Sequence, residues 1–408
     1  MATVIGLTGQ FGSGCTTLKN TLVNYYKLKA YSFGELIKKE AKSRGLKDYE
    51  RQDLQDIGNE MRNRKLSYWA DIIIQKINQS THTDSSYVVD GFRNVSEIRA
   101  FQSVYPETFF LIAINVEDQN LRWKRVKGSY DNDYDKFLRD DQRDRGERFI
   151  HGQQVAKCVY EADIVLRNSK SIPDVGESIP RYIEAKVRRY VELIQGETEK
   201  WGVSQEERNM QEAYEASSES PCLNRKVGAS LYSKRGSLIS TGFNGPPFMG
   251  GCEKMFGGCH KTLIIDKLTK NIWVWMEGRE CPKCKKPMRN LIENECYCTN
   301  CGFDVKTFLN PIKGSEHCMA LHAEERAISN ANKNLKGATI FTTTFPCLQC
   351  ALKIVEARIS DLYYVDPYPI PETDWIVEHL FDLKKVLARK FEGVKSVRAY
   401  RKFFPNTS

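Results

Sequence analysis

The sequence predicts an α/β protein of two successive domains, and three observations carry that prediction. Short apolar runs alternate with amphipathic stretches through the first 170 residues, and a turn-rich, charged stretch over 171–204 then interrupts them. Eleven of the thirteen cysteines lie between Cys222 and Cys350, so the two halves carry different chemistry. At 408 residues the chain is too long for one ordinary domain, since domains run to about 100–200 residues. Apolar residues make up 41% of it, enough for a core in each half.

The formal net charge of +9 is spread along the chain. That admits nucleic acid as a partner and equally admits small anions such as nucleotides. No apolar run reaches the about eighteen residues of a membrane span, and the N-terminus lacks a basic–apolar–cleavage pattern. A cytoplasmic protein with no membrane partner is therefore expected. Thiols stay reduced in that compartment, where clustered cysteines are metal ligands more often than disulfides.

In chain order, Thr3–Thr8, Tyr87–Asp90, Phe109–Ile114 and Ala162–Leu166 read as strands, with amphipathic helices such as Gly34–Ser43 and Asp53–Asn63 between them. Strands alternating with helices at this spacing argue for a parallel sheet covered by helices, over 1–170. Gly9 to Thr16 (GQFGSGCT) follows the first strand and precedes a helix. There, backbone N–H groups and a helix N-terminus are placed to hold phosphate oxygens. Gly9, Gly12, Ser13, Gly14, Thr16 and Thr17 are the candidate nucleotide-binding residues, with Asp90 at a strand end as a candidate magnesium acid. Cys15 stands where the phosphate-loop pattern has lysine, and a neutral thiol does not neutralise phosphates in transfer. Lys19, one turn on, is the nearest substitute. Arg181–Leu193 reads as a connecting helix, within a linker over 171–204.

The second domain is expected over 205–408. Glu206–Ser218 reads as its first helix, and Val227–Tyr232 with Gly236–Gly242 as a hairpin turning at Ser233–Gly236. A helix beginning at His322, a strand Thr339–Thr343 and a helix beginning at Cys347 follow. Two motifs sit in that frame: His322-Ala323-Glu324, and Pro346-Cys347-Leu348-Gln349-Cys350. Two cysteines three apart at a helix start converge on one ion, and a distant histidine adds a third ligand. Three protein ligands leave zinc's fourth position open, which marks a catalytic site rather than a closed structural one. Zinc lowers the pKa of bound water towards about 7, and Glu324 is placed to shuttle protons. This H-x-E…P-C-x-x-C pattern is that of zinc deaminases acting at C4 of cytosine. The plainer reading, a structural zinc beside a surface carboxylate, would suit a lone C-x-x-C.

Arg225 to Ala229 (RKVGA), Ser240 to Pro247 (STGFNGPP) and Cys318 ahead of His322 resemble the deoxycytidylate deaminase family over about Gln205 to Pro367. The resemblance implies that Asn244 contacts the sugar, although Asn-Gly is also a strong turn former. It further implies a homo-oligomer with control by a regulatory nucleotide. Arg225 is a candidate phosphate contact, or equally a solvated arginine at a strand start; Tyr364 and Tyr368 are candidate platforms for the base. A polynucleotide substrate, which calls for a basic channel laced with aromatics, has no such segment here.

Cys281, Cys284, Cys298 and Cys301 form paired C-x2-C knuckles resembling a zinc ribbon, inserted between about 250 and 315, with Cys296 as an alternative ligand. Cys252, Cys259, His260 and Cys318, with Cys222 or His317, make a candidate further zinc site, as in some deoxycytidylate deaminases. One catalytic and one or two structural Zn2+ are thus expected.

In the first half, Arg51–Arg64, Val88–Gly91 and Ala162–Ile164 resemble nucleoside monophosphate kinases, where Arg122 and Arg125 fall at lid positions; a solvated helix face explains these two arginines equally well. That resemblance implies Mg2+ and a nucleotide at this domain. Over nearly its whole length the chain resembles the two-domain antiphage cytidine deaminases of bacteria, a P-loop kinase-like domain fused to a cytidine deaminase-like three-layer α/β/α domain. That family implies conversion of dCTP or dCMP to deoxyuridine nucleotides and an inhibitory restraint on the activity. A housekeeping dCMP deaminase is the alternative.

Overall fold

The computed structural model describes residues 2–80, 85–116, 118–147, 149–168, 181–276, 280–281, 283–286, 318–366 and 374–405. Its strands are β1 (Thr3–Gly9), β2 (Lys29–Ser32), β3 (Ser86–Asp90), β4 (Phe109–Asn115), β5 (Ile164–Arg167), β6 (Gly228–Tyr232), β7 (Leu238–Phe243), β8 (Thr339–Thr344), β9 (Asp361–Asp366), β10 (Leu387–Lys390) and β11 (Gly393–Val394). They form two sheets, ordered β11-β5-β4-β1-β3-β2 and β10-β9-β8-β6-β7. The chain divides accordingly into two compact units, Met1–Gln211 with Phe391–Ser408, and Glu212–Lys390.

The first sheet is parallel from β2 through β5. Its central strands β1, β3 and β4 are mostly apolar and buried on both faces, because successive side chains point to opposite faces and helices cover both. Val4, Val89, Phe109, Leu111 and Ala113 enter one core with Phe33, Ile37, Met61, Trp69 and Ile73. Their neighbours Ile5, Leu7, Val88, Phe110, Ile112 and Ile114 enter the other with Leu18, Leu22 and Val187. Strand β2, short and half exposed at the sheet edge, carried no apolar run for the sequence to show.

Two stretches differ from the expected layout. The helix Arg181–Ile194, read as a connector, buries Val187, Tyr190, Val191, Leu193 and Ile194 in the second of those cores. The C-terminal residues, expected within the second domain, also belong to the first unit. Strand β11 pairs antiparallel with β5, and Ala399, Tyr400, Phe403 and Phe404 close over the same core. Buried polar groups fix this tail. Lys395 donates to the carbonyls of Val159 and Tyr160, the last turn of a helix, where a cation is favoured. Glu207 accepts from the Val394 amide at 3.0 Å and holds Arg189 through both oxygens at 2.8 and 2.7 Å.

The second unit is a mixed sheet. Strands β8, β9 and β10 run parallel, while β6 is antiparallel to both β7 and β8. The β6–β7 hairpin turns where the sequence placed it, with Gly236 left-handed at φ 82°. Ala229, Leu231, Ile340 and Leu362 form the core with Ala323 and Ala327 of one helix (Ala323–Ser329) and Ala351 and Ile354 of another (Leu348–Glu356). Strand β7 lies backbone to backbone on the first of these helices: a Cβ at Gly242 would overlap the Ala323 carbonyl and the Ala327 nitrogen. Gly242→Ala should therefore lower the stability of this unit by about 1–3 kcal/mol, read as a reduced denaturation midpoint with an unchanged slope.

Candidate active site

Both metal motifs sit at helix N-termini. His322 is the residue before the helix Ala323–Ser329, and Cys347 is the residue before the helix Leu348–Glu356, which carries Cys350 in its first turn. Chain geometry explains the placement: β8 delivers Phe345 and Pro346 to the carboxyl end of the sheet, where the chain turns into the helix. Ligand sites in open α/β sheets lie outside such strand ends.

The His322 Nδ1 lies 3.3 Å from the Sγ of Cys347 and 3.3 Å from that of Cys350. All three ligand atoms fall within 4.8 Å of one another, the only such group of three among the described residues. One imidazole and two thiolates at that spacing fit the corners of a tetrahedral zinc with one corner left over. The thiol pair is polarised. Cys347 is pulled well below the usual thiol range, first by its hydrogen bond with Cys350 and then by His322, while Cys350 is pushed up by the same bond and by burial. Contact with Cys347 raises His322 to about 8.

Glu324 is 3% exposed, with Oε2 3.6 Å from the Cys350 sulfur. Burial raises its carboxyl above the ordinary range, in the direction of a group that accepts and returns protons near neutrality. A structural zinc with a solvated carboxylate does not match this arrangement. Beside it, Glu325 forms an ion pair with Lys353 that ties the two motif helices together.

The family described as cytidine and deoxycytidylate deaminase zinc-binding region matches residues 203–366, and an AAA domain family matches 8–137. Deoxycytidylate deaminase of Enterobacteria phage T2 is 31% identical over 175 residues, 41% of this chain and 82% of the phage protein. The chain belongs to the deoxycytidylate deaminase family. Deoxycytidylate deaminase of Saccharomyces cerevisiae is 28% identical over 40% of this chain and 38% of its own length. Among solved structures, the apo dCMP deaminase of cyanophage S-TIM5 is 19% identical, covering 46% of this chain and 96% of its own, with a TM-score of 0.26. The protein is thus a zinc-dependent deaminase fused to a P-loop kinase-like domain.

Other sequence-selected residues are distributed as follows. Asn244 stands just past β7, and its side chain joins several segments. Its Oδ1 accepts from the Val227 amide at 2.6 Å and the Ser220 hydroxyl at 2.9 Å, and its Nδ2 donates to the Arg225 carbonyl at 2.8 Å. Arg225 itself reaches the buried Asp366, with Nη2 3.3 Å from Oδ2. Tyr364 packs edge-on against Phe345, ring centroids 4.7 Å apart. Cys281 and Cys284 flank a tight turn in which the Lys285 amide donates to the Cys281 carbonyl at 2.8 Å. Cys296, Cys298, Cys301, His317 and Tyr368 lie outside the described residues. Cys318 is raised by burial and by the nearby Cys222 and Cys259, and Cys259 accepts from Asn224. Cys252, Cys259, His260 and Cys318, expected as a further zinc site, form no group of three ligand-spaced donors among the described residues.

In the first unit, Gly14 opens the helix Cys15–Tyr26, and Gly12 and Gly14 take the left-handed φ values 71° and 106°. A Cβ at Gly12 would lie 2.6 Å from the Arg122 carbonyl. Burial, then Asp90, pushes the Cys15 thiol up to about 12, so it stays neutral. Asp90 is buried at the end of β3, and Lys19 pairs with Glu35 at 3.6 Å. Arg122 is no solvated side chain: it is buried against Asp141 and donates to the Phe11 carbonyl. Arg125 and Asn168 grip the loop from behind, donating to the carbonyls of Gly12 at 2.9 Å and Ser13 at 2.8 Å. The stacking of Arg51 on the Phe11 ring, 3.1 Å from its centroid, and the contact of Asn168 with the loop leave no local pattern, because they join single polar residues on separate elements.

Two outcomes follow for the deaminase site. Glu324→Gln should lower kcat by about 10²–10⁴-fold while zinc content stays unchanged, measured by metal analysis beside the rate. Cys350→Ser or His322→Ala should instead lose both the zinc and the rate.

Proposed function

We propose that this protein deaminates free deoxycytidine nucleotides, dCTP and dCMP, to the deoxyuridine nucleotides and ammonia, and that it does so to deplete a DNA precursor during phage infection. The observation that carries the chemistry is the convergence of His322, Cys347 and Cys350 beside a carboxylate buried as deeply as Glu324. His322, Cys347 and Cys350 hold the zinc, which when bound supplies a Lewis acid and an acidified water. Glu324 takes a proton from the water that replaces the amino group, passes it to ring N3, and delivers the second proton to departing ammonia. Asn244 orients the sugar, held in place by Ser220 and Val227. Arg225 contributes positive charge for the phosphates.

The relatives named deoxycytidylate deaminase support the nucleotide substrate. The two-domain layout, with a lysine-less phosphate loop, supports the defence role and a restraint on the deaminase by the first unit. That unit binds a nucleotide through Gly9, Gly12, Ser13, Gly14, Thr16 and Thr17, with Asp90 towards Mg2+, and does not transfer phosphate, because Cys15 is a neutral thiol. Cys281, Cys284, Cys298 and Cys301 hold a structural zinc. The protein acts as a cytoplasmic homo-oligomer. Among the described residues no helix is long and apolar enough to cross a membrane.

The test offers zinc-loaded full-length protein dCMP, dCDP, dCTP, CTP and cytosine in single-stranded DNA, with Glu324→Ala as control. Conversion of dCTP that is lost in the variant is the expected result. Conversion of dCMP alone makes the protein a supplier of dUMP for thymidylate synthesis, and turnover confined to the oligonucleotide defeats the free-nucleotide reading.

A further inference from the structure

Arg326 has no assigned role, yet it occupies the fourth position of the helix that begins with Ala323 and Glu324. Its guanidinium lies over the Phe243 ring, 4.5 Å from the centroid, and Nη2 donates to the Gly245 carbonyl at 2.9 Å. These two contacts fall on either side of Asn244. The same Gly245 exchanges both of its backbone hydrogen bonds with Leu321, at 3.1 and 3.0 Å, immediately before His322. Residues 243–245 are therefore joined to residues 321–326 at both ends, through Leu321 ahead of the metal ligand and through Arg326 after the catalytic glutamate.

The partners of Asn244 show what this junction controls. With Oδ1 accepting from Val227 and Ser220 and Nδ2 donating to Arg225, its amide is fixed in orientation, and one Nδ2 hydrogen remains beyond these bonds. Such an amide contacts a substrate only in the place where its backbone puts it. A planar guanidinium stacks on an aromatic face and donates along its edge at once, which an ammonium does not do. Arg326 thus constrains the Asn244 backbone in two directions.

We infer that Arg326 is a positioning residue for deamination: it sets the Asn244 amide relative to Glu324, so that the sugar contact holds the pyrimidine ring over the carboxylate. This rests on the reading of Asn244 as a sugar contact. Displacement of a reacting group by about 1 Å costs on the order of 10²-fold, so a loosened junction is visible in turnover without any change in metal.

The experiment is a double-mutant cycle on full-length, zinc-loaded protein, with Arg326→Ala, Asn244→Ala and the double variant assayed for kcat and KM on dCMP. Zinc content and melting temperature are recorded for each. The expected result is a loss of about tenfold or more in kcat/KM for R326A at wild-type zinc content, shrinking to less than about twofold when N244A is already present. Arg326→Lys, which keeps the charge and the aliphatic stem, recovers only part of the rate, and it replaces R326A in the cycle if the alanine variant fails to fold. Losses that multiply independently overturn the proposal, as does an unchanged R326A beside a defective N244A. An unchanged N244A overturns the sugar-contact reading itself, and the role of Arg326 with it.

Discussion

Catalysis in this chain depends on the close approach of β7 to the helix Ala323–Ser329. Gly242 lets the two backbones meet where any side chain would overlap Ala323 and Ala327. With the helix seated there, His322 at its start faces Cys347 and Cys350 across a 3.3 Å gap, and Glu324 enters the same closed space. A carboxylate in that position is held by burial on the side of accepting a proton. The Glu325–Lys353 pair then joins the two ligand-bearing helices at their exposed side, where its net contribution is small. Packing, rather than surface charge, sets the geometry of the metal ligands.

The first unit uses buried charge in a different way. Its phosphate loop is braced by side chains: Arg125 and Asn168 donate to the carbonyls of Gly12 and Ser13. Asn168 directly follows β5, and β5 pairs with the C-terminal strand β11. The last residues of the chain therefore complete the sheet that carries the loop. Glu207 and Lys395 are buried there and Arg189 half-buried, each with partners for its charge, as burial of a charge requires. The C-terminal tail supplies a strand to the first unit, and a helix, Val397–Phe403, whose buried face joins the same core.

The sequence by itself determined what is local. The apolar runs of β1, β3, β4 and β5, the hairpin turn at Gly236, the phosphate-loop glycines and the two zinc motifs each lie within a few residues, where spacing alone states the chemistry. It also determined that Cys15 removes the loop's own cation, a matter of residue identity. Only the tertiary structure decided which distant residues meet. The edge strands β2 and β11 are too short to announce themselves, and the partner of β11 lies more than two hundred residues away. The burial of Arg122, the bonds of Asn244 and the clasp of Arg326 on Gly245 come from separate segments and leave no period in the chain. Hydrogen-bond partners are chosen by the position of the backbone after packing, and a one-dimensional pattern carries no record of that choice.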